Sequence, residues 1–196
     1  MHDHYWPFLL FVIVMTGTPG PGNLAMLALG QTVGFKKSIP FLIGMVTGGA
    51  AVELLVAFGL GELYINSPRT ASVFKVISII YILYLALKVM RMNVQPPNEV
   101  KPFTLYDGLM LHPLNPKAWA MSISAFSQFA DPAAPHFFEI SVFVLTFAYM
   151  GLISHSFWGL TGSSLLRIMR SPKLRLCINT SMVVLMVGAT VYALYN

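Results

Sequence analysis

The sequence predicts an all-α, polytopic membrane protein: six transmembrane helices arranged as two inverted three-helix repeats, each with a broken first helix. Three observations carry that expectation. Of 196 residues, 56% are hydrophobic and only 10% charged, with a mean hydropathy of +0.71, whereas a soluble domain carries roughly 25% charged residues. Six apolar runs, each close to the ~20 residues that cross a bilayer, alternate with short polar breaks. Two of those runs are interrupted at corresponding places, by "TPGPGN" at 18–23 and by "HPLNPK" at 112–117.

The spans are placed, in order, at 6–29, 38–60, 71–89, 108–129, 137–165 and 176–195. The breaks between them read "GFKKS", "INSPRT", "MNVQPPNEVKP", "ADPAAPH" and "RSPKLR", all of them turn chemistry and none long enough for a soluble domain. The chain is therefore one transmembrane domain over 1–196, with repeat one at about 6–91 and repeat two at about 108–196. The opening "MHDHYWPF" has no Lys or Arg, so a cleaved signal peptide, which needs a positive leading region, is not expected. Tyr5, Trp6, Tyr192 and Tyr195 sit where aromatic interface anchors belong.

Charge sets the orientation. Lys36 and Lys37 fall in the first loop, Lys88, Arg91 and Lys101 at the third, and Arg167, Arg170, Lys173 and Arg175 at the fifth. The even loops and the tails hold only Arg69 and, just inside the next span, Lys75. Because Lys and Arg accumulate on the cytoplasmic side, both termini are placed outside. Asp3, Glu62, Asp131 and Glu139 fall on that outer side as well.

Several classes of function are set aside by composition. The net charge of +5 is spread over too few, too scattered cations for a nucleic-acid surface. A lone cysteine, Cys177, forms neither an internal disulfide nor a CxxC pair. Ser154, His155 and Ser156 are adjacent, but no G-x-S-x-G motif is present, so no catalytic residues and no enzyme activity are expected. No cofactor and no resident metal are expected either.

The two interruptions need a different explanation. Pro19 and Pro21 remove backbone donors, and Gly17, Gly20 and Gly22 weaken the helix. Backbone groups freed in lipid cost several kcal/mol each, so such a break must face protein or a water-filled cavity. In the second half Pro113 and Pro116 act likewise, and Lys117 lies nine residues into its span, roughly 14 Å along a helix and close to the midplane. "PGNLAM" (21–26) matches "PKAWAM" (116–121), and "SPR" (67–69) matches "SPK" (171–173), in the same order in both halves. An odd number of spans per half inverts the second half relative to the first, and paired interrupted helices in inverted repeats mark transporter binding sites. The alternative for either break is a proline kink that serves packing alone.

At these residues the chain resembles a known family. "TPGPGN", "GFKKSIPFLIGMVTGG" (34–49), "YILYLALKVMR" (81–91) and "NPKAWAM" (115–121) are similar, in order and spacing, to the lysine-exporter (LysE/RhtB-type) family of amino-acid exporters. The first and last of these are the specific ones. The resemblance implies a six-helix inner-membrane carrier, with both termini then periplasmic, that assembles as a homodimer, exports amino acids or close relatives and is driven by the proton gradient. One position departs from the family pattern: Gly22 stands where the family has Asn in Pro-Gly-Pro-Asn, and Asn23 follows it.

The candidate substrate-binding residues are accordingly Pro19, Gly20, Pro21, Gly22 and Asn23 in the first break and Asn115, Pro116 and Lys117 in the second. Glu53, deep in the second span, is an expensive intramembrane acid and a candidate proton carrier; the alternative is a structural partner for Lys117 or for free backbone donors. Gly48 and Gly49, one turn earlier, let a helix or the first break approach. Lys117 attracts a substrate carboxylate, pairs with Glu53, or snorkels to the inner surface. His155 is read as a proton relay or as a hydrogen-bonded packing residue, and His112 as an interfacial residue at the inner mouth. The competing transport reading, export of an ion or metal cation, would need clustered carboxylates or histidines in the spans.

Overall fold

A computed structural model describes residues 5–61, 67–94, 102–131, 133, 135–168 and 172–195. The charges counted at Asp3, Glu62, Lys101 and Arg170 lie outside the described residues. The described chain is all-helical. Its helices are α1 (Tyr5–Gly17), α2 (Pro21–Val33), α3 (Phe35–Ala57), α4 (Pro68–Val94), α5 (Leu105–Leu111), α6 (Pro116–Phe129), α7 (His136–Ile168) and α8 (Pro172–Tyr195).

Among the described residues, three helical stretches are each long and apolar enough to cross a membrane: Phe35–Ala57, Ser72–Arg91 and His136–Leu165. Helices α1 and α2 meet the same test only as a pair, bent by 51° where the chain breaks. The apolar part of α8, Leu176–Tyr192, is shorter. Large apolar side chains cover the outside, among them Trp6, Ile80, Leu145, Phe157 and Val184, an arrangement suited to lipid rather than water.

Local chemistry fixes the helix ends. Pro21 takes the first position of α2, where its missing N–H costs nothing, after an extended Gly20. Gly34 adopts φ +84 between α2 and α3, a backbone conformation that favours glycine. Pro116 opens α6 in the same way, with Asn115 as its cap. Thr104 and Asp107 form a reciprocal capping box at the start of α5.

Side chains pack into two apolar clusters. One joins Leu24 and Leu29 of α2, Phe41 and Met45 of α3, Leu85 of α4 and Met186 of α8. The other joins Phe8 and Val12 of α1, Met121 and Ala125 of α6, and Phe143 and Phe147 of α7. Backbones touch directly at two seams. A side chain at Gly30 or Gly162 would overlap the facing backbone between α2 and α7, and one at Gly44, Gly48 or Gly108 would do so between α3 and α5. The close approach expected at Gly48 is therefore made by α5, at Leu109. Gly49 does not share that seam; it faces His112 and Glu53.

One ion pair ties α4 to α5. Lys88 Nζ lies 2.5 Å from Asp107 Oδ2, Tyr84 donates to Oδ1 at 2.9 Å, and the Tyr81 hydroxyl donates to the Asp107 carbonyl. Asp107 lies one residue before the fourth predicted span. Burial alone would raise its carboxyl, but hydrogen bonds from Lys88, from the backbone and hydroxyl of Thr104, and from Tyr84 outweigh it and hold the group below its ordinary value. A folded value below the unfolded one stabilises the fold above the ordinary aspartate range, and that contribution is lost as pH falls through the folded value. The detergent-solubilised protein is thus expected to lose thermal stability on acidification through that range. Asp107→Asn should remove this dependence and cost about 1–2 kcal/mol at neutral pH. An Asp107→Asn chain with the wild-type acid profile in a melting experiment would contradict the assignment.

Candidate functional site

Between the two apolar clusters lies a mostly apolar space that a few polar side chains enter. Into it come the end of α1, the start of α2, the middle of α3, the turn after α5, the start of α6 and the middle of α7. They enclose a small cavity, with about 520 Å³ of empty space when its open mouth is counted.

The first break is held open by side chains. Three of its freed carbonyls accept protein donors: Thr16 from Asn23 Nδ2 at 2.7 Å and Ser154 Oγ at 2.7 Å, Gly17 from Trp158 Nε1 at 3.2 Å, and Thr18 from Asn23 Nδ2 at 2.9 Å and Lys117 Nζ at 3.2 Å. The intramembrane cost of a broken helix is met in this way. In the second break Asn115 Oδ1 accepts from the Lys117 backbone at 3.1 Å, and Trp119 Nε1 donates to the Pro113 carbonyl at 2.9 Å.

Lys117 joins the two breaks. Its ammonium donates to Thr18 Oγ1 at 2.7 Å as well as to the Thr18 carbonyl, and it passes over Gly20, where a Cβ would come within 3.1 Å of the lysine chain. Lys117 is thus bonded to Thr18, in the break after α1, a partner not weighed in the sequence, and it makes no pair with Glu53. Glu53 is buried at 2% exposure; its Oε1 accepts from Ser122 Oγ at 3.4 Å, and its Oε2 has no partner among the described residues.

His112, expected at the inner mouth, is instead 7% exposed and lies against His155. The turn at 112–115 folds it inward. A continuous chain of contacts follows, from Asn23 Oδ1 to His155 Nδ1 at 2.6 Å and from His155 Nε2 to His112 Nε2 at 3.3 Å. His155 is thus both a buried, hydrogen-bonded packing residue and part of a polar chain ending in the cavity. Gly22 faces that chain: a Cβ there would sit 3.3 Å from His155 Cε1, so any larger side chain would have to displace the histidine. Asn23, one position on, supplies the polar side chain of this break.

Of the residues singled out in the sequence, Gly20, Gly22, Asn23, Glu53, Asn115, Lys117 and His155 border the cavity. Pro19, Pro21 and Pro116 do not; they shape the backbone that does. His112 and Ser122 were not singled out as site residues. No sequence signal marks Ser122, whereas His112 stands next to the Pro113 break.

An apolar helical protein whose cavity lies between the α1–α2 break and the α5–α6 turn has a build that suits a membrane transporter. The sequence model of the LysE type translocator family matches residues 13–196, and this chain is a member of that family. An "Uncharacterized membrane protein" of Vibrio cholerae is 25% identical over 181 residues, covering 89% of this chain and 88% of the relative. A "Leucine efflux protein" of Salmonella typhimurium, and another of Salmonella typhi, are each 28% identical over 149 residues, covering 72% of this chain and 70% of the relative. No solved structure gives a significant match.

Proposed function

We propose that this translocator exports amino acids or closely related amino compounds across the inner membrane by secondary active transport coupled to protons. The single transmembrane domain, 1–196, is read as six spans in two inverted repeats, with both termini periplasmic and the broken helices α1–α2 and α5–α6 in matching places. A homodimer is the assembly that the family resemblance implies. The observation that carries the reading is the convergence of two helix N-termini, one cation and one acid on a single mid-chain cavity, which suits a zwitterion.

The substrate carboxylate is assigned to the start of α2. That helix has no side-chain cap, so the N–H groups of Gly22 and Asn23, which lack intrahelical acceptors, and the positive end of the helix dipole are available to an anion. The start of α6 is already capped by Asn115 and contributes Lys117. The carbonyls of Thr16, Gly17 and Thr18 are occupied, and the ammonium is assigned to Glu53. Coupling then follows from occupancy: Glu53 carries either a proton or the substrate's ammonium, never both, so outward movement of one accompanies inward movement of the other. His155, which borders the same cavity as Glu53, is assigned the proton relay. The leucine efflux relatives favour an apolar amino acid.

The competing reading, an exporter of an ion or metal cation, draws no support from the geometry of the described residues, where no three His, Cys, Asp or Glu side chains converge as ligands. Counterflow separates the two. Proteoliposomes preloaded with an unlabelled amino acid are expected to accumulate the same amino acid in labelled form, above protein-free liposomes. Failure to do so for every standard amino acid would refute the exporter reading.

A further inference from the structure

The two apolar clusters that bound the cavity both turn methionines towards it. Met45 belongs to the cluster that joins α2, α3, α4 and α8. Met121 belongs to the cluster that joins α1, α6 and α7, and Met15 packs against it. All three border the cavity, with Val46 and Phe147 among the other apolar side chains there. They arrive on three different helices, α1, α3 and α6, so thioethers meet the space from both clusters.

Two of them also stand close to the groups assigned to the substrate's charges. A Cβ at Gly22, in the first turn of α2, would lie 3.5 Å from Met45 Sδ. Met121 adjoins Ser122, which donates to Glu53 Oε1. Most polar side chains on the wall are already engaged within the protein. Asn23 and His155 bond each other at 2.6 Å, Asn115 caps α6, Lys117 donates to Thr18, and Thr16 donates to the Val12 carbonyl at 2.7 Å. His112 turns its Cδ2–Cγ carbon edge to Gly49. A second charge or an amide buried here would face mainly thioether, aliphatic and aromatic groups, which is costly.

The cavity is small, so a substrate side chain enters only where the wall gives way. Methionine suits such a wall. It is unbranched, turns about three bonds and carries a polarizable sulfur, so it refills gaps of changing shape. A β-branched side chain in its place is stiff and holds one shape. Resting on the exporter reading above, we infer that Met15, Met45 and Met121 form an adaptable subsite for the substrate's side chain. It takes aliphatic side chains of several shapes, branched, unbranched or thioether, and excludes charged and amide ones. These three residues set the breadth of specificity.

The test uses purified protein carrying ¹³C-methyl methionine. Leucine is expected to shift the methyl resonances of Met15, Met45 and Met121, assigned by substitution. Met110, exposed and off the cavity wall, should stay fixed. Leucine, isoleucine, methionine and norleucine should bind within about tenfold of one another, whereas a rigid pocket separates side chains differing by one methylene by roughly ten- to two-hundredfold. Glycine, which keeps both charges and lacks the side chain, should bind about tenfold or more weakly than leucine, and so should lysine, glutamate and asparagine. In Met45→Ile and Met121→Ile the spread among the four aliphatic amino acids should widen beyond about tenfold. Leucine binding that leaves the three methyls unmoved overturns the subsite. So does a wild-type spread beyond tenfold, or glycine, lysine, glutamate or asparagine bound within tenfold of leucine. A spread that stays within tenfold in both folded variants does the same. The wild-type measurements decide the matter even where a variant fails to fold. A wild type that binds no standard amino acid overturns the exporter reading itself, which is a separate result.

Discussion

A chain carrying Pro19→Ala, Pro21→Ala and Gly22→Ala inserts and folds but no longer exports. The expected loss exceeds a hundredfold, because the break supplies both the N–H groups that hold the carboxylate and the carbonyls that position Lys117 and Asn23. Alanine is favoured over proline inside a helix by about 3 kcal/mol per site, so the substitutions pull α1 and α2 towards one continuous helix. That repair consumes the free groups at 18–23. Gly22→Ala also brings a Cβ within 3.3 Å of His155, so Pro19→Ala with Pro21→Ala alone is the necessary companion. Both variants should lose accumulation of labelled amino acid in proteoliposomes while keeping a cooperative thermal transition. A folded triple variant that transports like the parent would reduce the break to a packing kink and remove the basis of the site.

Glu53→Gln is expected to abolish export driven by a pH gradient while leaving measurable, weaker exchange between labelled and unlabelled substrate. Glutamine keeps the size and the Ser122 hydrogen bond but cannot exchange a proton. A carrier whose substrate and proton share one carboxylate loses the coupled cycle yet can still shuttle loaded in both directions. Gradient-driven export at the wild-type rate would make Glu53 a structural residue and sink the coupling scheme.

Much of this architecture was legible because the strongest signals are local. Proline and glycine at 19–22 break a helix wherever they occur in an apolar run, and α1 does end at Gly17 with α2 starting at Pro21. The second break was legible for the same reason, with Asn115 capping and Pro116 opening α6. What could not be read is pairing across distant elements. Lys117 was weighed against Glu53, an acid deep in a span, but Lys117 reaches Thr18, 99 positions away in sequence. The acid and the lysine instead border the cavity separately. His112 read as interfacial, near the inner mouth; the turn at 112–115 places it in the interior, which no periodicity announces. The seams at Gly30 with Gly162 and at Gly44 with Gly108 were equally silent. A glycine in a membrane helix does not name the backbone it will touch.

The central claim is that the substrate's carboxylate sits on the N-terminus of α2 inside the break. Selective ¹⁵N-glycine labelling in detergent or nanodiscs tests this directly, because the resonances of Gly20 and Gly22 can be assigned by substitution. Titration with the transported amino acid should shift both amides saturably, with the Gly22 proton moving downfield as it gains a charged acceptor. Gly59, which faces open space, should stay fixed. Saturable binding that leaves the Gly20 and Gly22 amides unmoved would contradict the account.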